Sequence, residues 1–69
     1  MKNIKYIYRI AETNYGHEKE TFIALSDWHA KKMFYQIKKT DWAELMLVGV
    51  YDTKTKIEKI YPYETSVPM

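Results

Sequence analysis

The sequence predicts one small α+β domain: strands and a helix in the order β-β-α-β-β, a four-stranded antiparallel sheet, and the helix packed on one of its faces. Three observations carry the prediction. Ile4, Tyr6, Tyr8 and Ile10 alternate with Lys5 and Arg9 near the start, the period of a strand with one buried face. Ser26-Asp27 stands between an apolar run and an amphipathic stretch, where a helix start is expected. Beyond the helix, two more strand-like runs flank Asp52-Thr53-Lys54-Thr55, a four-residue turn.

The first strand is expected over 3–13, with Ile7 and Ala11 making its second face only partly wet. Tyr6 and Tyr8 are read as core residues packing on the helix, because the basic residues that a nucleic-acid stacking platform would need lie on the opposite face. Asn14-Tyr15-Gly16 marks a turn, since Asn and Gly tolerate positive φ. A second strand over 18–25 closes a hairpin with the first. The helix should then run from 27 to 39 or 40. The Ser26 hydroxyl accepts from an orphan backbone N–H, Asp27 suits the positive end of the helix dipole, and Lys38 and Lys39 suit the negative end. Leu25 and Ala30 hold the positions of a hydrophobic staple. Ala30, Met33, Phe34 and Ile37 fall on one side of the helix and form its core face.

The run 45–51 is apolar without alternation, as in a central strand or one covered on both faces. A return strand over 56–61 ends at Pro62, and 64–69 reads as a flexible tail. Strand order 2-1-3-4 makes every neighbour antiparallel.

Composition limits the function classes. A chain of 69 residues is a single domain. A chain of this size buries only about 60% of the surface its unfolded form exposes. It has no cysteine, so neither a disulfide nor a Cys-based zinc site can staple it; the remaining routes to stability are a dense aromatic core or oligomerisation, and seven Tyr, two Trp and two Phe favour the first. The lack of cysteine suits a reducing compartment, and no signal peptide or membrane span is read, so a cytoplasmic protein is expected. With two glycines, a phosphate-cradling loop is nearly excluded. His17, Glu18 and Glu20 include possible metal ligands, but adjacent strand residues point to opposite faces. Ser26, Asp27 and His29 are the residue types of a hydrolase, yet the hydroxyl is committed to capping and no oxyanion loop is visible. No catalytic residue, cofactor or metal is therefore expected.

One feature of the helix is less ordinary. Opposite its core face lie Trp28, Lys32, Tyr35 and Lys39, spaced i, i+4, i+7 and i+11, with Lys31 and Lys38 at the flanks. Two accounts compete. In one, the rings anchor a partner and the lysines steer it, a protein in preference to nucleic acid because the net charge is only +2 and Arg9 is the sole arginine. In the other, Trp28 folds down on the hairpin, Tyr35 covers lysine stems, and the lysines solvate the helix. The general pattern, a short Lys-, Ile- and Tyr-rich chain without cysteine, is similar to many small phage or mobile-element accessory proteins. The expected function is a non-enzymatic binding protein that docks on a host protein. A nucleic-acid-binding module using the same helix face is the first alternative, and a structural homo-oligomer, most simply a homodimer, the second.

Overall fold

The computed structural model describes residues 3–12, 19–38 and 43–68. They form β1 (Ile4–Glu12), β2 (Lys19–Ala24), α1 (Asp27–Ile37), β3 (Ala43–Asp52) and β4 (Ile57–Ser66). The strands make one sheet in the order β2-β1-β3-β4, every pair antiparallel. The expected α+β class, element order and strand order are all present. The turn at 14–16 lies outside the described residues.

The alternation of β1 decides what faces the helix. Tyr8 and Ile10 join Ala24, Leu45, Ala30, Phe34 and Val67 in the core, with Tyr6, Phe22, Met33 and Ile37 packed against it. Tyr8 has no exposed surface. Its register partner on β2 is Phe22, and the two rings stack with centroids 5.8 Å apart. Both tyrosines of β1 thus belong to packing, as their alternation with Lys5 and Arg9 implies.

α1 begins where expected. Ser26 is the N-cap in extended backbone, and its hydroxyl accepts from the His29 N–H. Asp27 does more than face the dipole: its Oδ1 accepts the Tyr8 hydroxyl at 2.6 Å, which ties the helix start to the centre of the sheet. Leu25, 55% exposed, is too wet to act as a staple on Ala30. The far end comes earlier than the expected 39 or 40. Lys38 leaves the helical region at φ −59°, ψ 143°, while its N–H still donates to the Phe34 carbonyl. The last turn therefore holds no basic residue. Lys39 and Thr40 lie outside the described residues.

β3 is a central strand, as its apolar run suggested, and the absence of alternation has a specific cause. Tyr8 pairs with Leu47 and Ile7 with Gly49, so Val48 is an extra residue that shifts the phase of the strand. Ile7 and Val48 are both buried. Gly49 is required by close approach: a Cβ there would lie 2.5 Å from the Lys59 carbonyl oxygen on β4.

The expected end of β4 is wrong. The strand does not stop at Pro62, and 64–66 are not a loose tail. Leu47 pairs with Thr65 and Met46 with Ser66, and Val67 is buried in the core with its N–H on the Leu45 carbonyl. Pro62 is tolerated because the register skips from Thr65 to Ile60 opposite Val48, and no ladder N–H is needed between them. The β3–β4 turn spans residues 53–56. Asp52 Oδ1 accepts from the Lys54 and Thr55 N–H groups, and Lys56 takes a left-handed φ of 61°. On the sheet face away from the helix, Arg9 of β1 and Glu64 of β4 form an ion pair that reaches across β3. Among the described residues no helix is long and apolar enough to cross a membrane.

Candidate partner-binding face of the helix

The local pattern of α1 sorts its residues into two sides. Ala30 and Phe34 are buried against the sheet, with Met33 and Ile37 half-buried beside them. On the other side Trp28 is 60% and Tyr35 58% exposed. Spaced i and i+7, they lie two turns apart along one line of the helix. Trp28 is not folded onto the hairpin. Its ring meets His29 edge-on at 5.0 Å, and its face is covered from above by Lys32, whose Nζ lies 4.1 Å from the ring centroid. That contact follows from i, i+4 spacing, which brings a lysine over the ring one turn before it.

Tyr35 has a similar neighbour from outside the helix. Lys38 stands i+3 from Tyr35 and i+4 from Phe34, and its Nζ lies 5.3 Å from the first ring and 5.8 Å from the second. Lys31 is half-buried at the border of the face and Lys32 exposed. Lys39 lies outside the described residues. The site residues on the helix, Trp28, Lys31, Lys32 and Tyr35, therefore share one side, and Lys38 joins them.

The helix start also contains a small polar network. Ser26 Oγ lies 3.1 Å from His29 Nδ1 as well as capping the helix, and Asp27 is engaged by Tyr8. Burial, together with the hydrogen bond to Asp27 and its negative charge, pushes the Tyr8 hydroxyl well above the ordinary tyrosine range. Asp27 and the Ser26–His29 pair thus use different partners, and no Ser-His-Asp relay links them. The Tyr8–Asp27 bond was not legible in the sequence, because the partners are 19 residues apart and nothing local marks the pairing.

Among the described residues, two shallow depressions that lie elsewhere can be placed. One, about 190 Å³, sits beside the helix start between Ile23, Leu25, His29 and Met33. The other, about 390 Å³, lies between Ile4, Val50, Ile57 and Lys59. The second is lined by the aliphatic Ile4, Val50 and Ile57 together with Thr55, Lys59 and Asp52, and the Asp52 carboxylate is occupied by the turn. Comparisons with models of protein families, with curated proteins and with solved structures find no match.

Proposed function

We propose that the chain is a small non-enzymatic binding domain that docks on a larger protein through the outer face of α1. Trp28 and Tyr35 are its anchors, and Lys31 and Lys32 are the charges beside them. The observation that supports this reading is the pair of exposed rings, both more than half accessible, on a helix whose opposite side is buried. Large aromatics at the centre of an interface supply most of its binding energy, whereas rim lysines mainly affect association rate and salt response. A cytoplasmic accessory protein of a phage or mobile element, acting on a host protein, is the setting that suits a chain of this size and composition.

The test is a capture experiment from extracts of the native host, with the parent chain and the Trp28→Ala/Tyr35→Ala variant immobilised side by side. Nuclease-treated and untreated extracts run in parallel. The reading expects a protein retained by the parent, lost with the variant, and indifferent to nuclease. Retention that vanishes with nuclease would shift the assignment to nucleic acid. Equal retention by both proteins would remove the helix face from the account.

A further inference from the structure

We infer that the partner of the helix face is acidic: a protein segment that sets carboxylates beside an apolar side chain. This rests on the reading of the face as a docking surface and adds the chemistry of its occupant. α1 contains Lys31 and Lys32 and one carboxylate, Asp27. Asp27 is engaged by the buried Tyr8 hydroxyl, at the sheet side of the helix start. Among the described residues, neither Lys31 nor Lys32 lies within ion-pair distance of a carboxylate; the ion pair found there joins Arg9 and Glu64, across the sheet from the helix. Lys31 and Lys32, neither of them ion-paired, outnumber the one carboxylate of α1, and a patch with an excess of one sign draws the opposite sign from solution.

The position of Lys32 narrows the kind of anion. Its Nζ covers one face of Trp28 at 4.1 Å. A nucleobase stacking there would have to displace the ammonium. A carboxylate need not, because an ammonium has three donors and those turned away from the ring stay free for an oxygen acceptor. Arginine, whose planar fork grips phosphate with two bonds, is missing from the face: Arg9 is the only one in the chain and Glu64 holds it. The exposed ring of Tyr35 gives the same segment an apolar contact two turns along. Carboxylates next to an aliphatic or aromatic side chain match this arrangement better than a phosphate backbone does.

The experiment is selection of a random peptide library displayed on phage. The parent chain is the bait, and counter-selection uses the Trp28→Ala/Tyr35→Ala variant. Peptides retained only by the parent are expected to be rich in Asp and Glu beside an apolar residue. Synthetic copies should lose about tenfold in affinity for the Lys31→Gln/Lys32→Gln variant. The Lys31→Glu/Lys32→Glu variant, with an unchanged circular dichroism spectrum, should instead select basic peptides. Parent-specific peptides that are neutral or basic would overturn the acidic partner and leave the docking face standing. If no peptide distinguishes the parent from the counter-selected variant, the docking face itself fails, and the acidic partner with it. Trp28-dependent binding of a thymidine oligonucleotide, without enrichment of acidic peptides, would transfer the face to nucleic acid.

Discussion

Tyr8 shows how one side chain joins the core to the helix start. Its ring stacks on Phe22 and its hydroxyl donates to Asp27. The proton is held firmly, because burial and the neighbouring carboxylate both oppose ionisation. In the unfolded chain the same group titrates near 10. Above that pH the unfolded state has released a proton that the native state keeps, so stability falls as pH rises. Below it the contribution is intact. Chemical denaturation across pH 8–11 should show this decline, and Tyr8→Phe should make it shallower while costing about 1 kcal/mol at neutral pH through the lost hydrogen bond. An unchanged alkaline slope in Tyr8→Phe would mean that the hydroxyl is not held in this way. Gly49 makes a second residue-scale case. A methyl group there meets the β4 backbone at 2.5 Å, so one strand must move. Gly49→Ala should cost about 1–3 kcal/mol, as overpacking does, and a midpoint equal to the parent's would contradict the close approach.

At the scale of elements, α1 and β4 differ in how far the sequence reveals them. The helix start is local chemistry: Ser26, Asp27 and the apolar spacing of Ala30, Met33, Phe34 and Ile37 all point to one phase, and that phase is found. Phe34→Ala should accordingly cost about 3–5 kcal/mol, much of the stability of so small a domain. Melting within a few degrees of the parent would refute the packing. The helix end and β4 depend on tertiary partners that no short window contains. Lys38 turns away although lysine is a good helix former, and 64–66 are held by β3 through a register that skips past Pro62. Val48 hides the alternation of β3 in the same way. The outer helix face was legible because it needs only i, i+4 and i+7 spacing. The same spacing puts Lys38 at the flank of that face, where its Nζ lies beside Tyr35. The β3–β4 turn offers a further test. Lys56 occupies a left-handed position that costs an L-residue roughly 1–2 kcal/mol and glycine almost nothing. Lys56→Gly should raise the thermal midpoint by a few degrees, and a lowered midpoint would show that the lysine side chain contributes more than the strain removes.

For the whole molecule, Ile4, Ile23 and Leu25 are open to solvent, and the more exposed large apolar groups fall in two further places. One is the helix face. The other is β4, an edge strand on which Ile57, Ile60 and Tyr63 are all exposed. Pro62 and the break in pairing around it blunt this edge, as native sheets commonly do. If the chain forms the homodimer considered above, a second copy adding a strand beside 57–60 would cover Ile57 and Ile60 together. Sedimentation at micromolar concentration would then give about twice 8.3 kDa, reduced to the single-chain mass by Ile60→Lys. A parent already at 8.3 kDa would rule out that assembly. The helix face is the more specific feature, because its rings and lysines are arranged around each other rather than left at an edge.

Everything proposed for that face requires that Trp28 meets solvent and that its cationic neighbour is in place. Fluorescence quenching with Trp42 replaced by Phe isolates the Trp28 signal. The account predicts red-shifted emission that acrylamide quenches readily. It also predicts that iodide quenches more strongly than caesium, because the Lys32 ammonium over the ring attracts the anion. Blue-shifted emission that resists all three quenchers would contradict it, since the ring would then be buried and the outer face of α1 would offer no anchor.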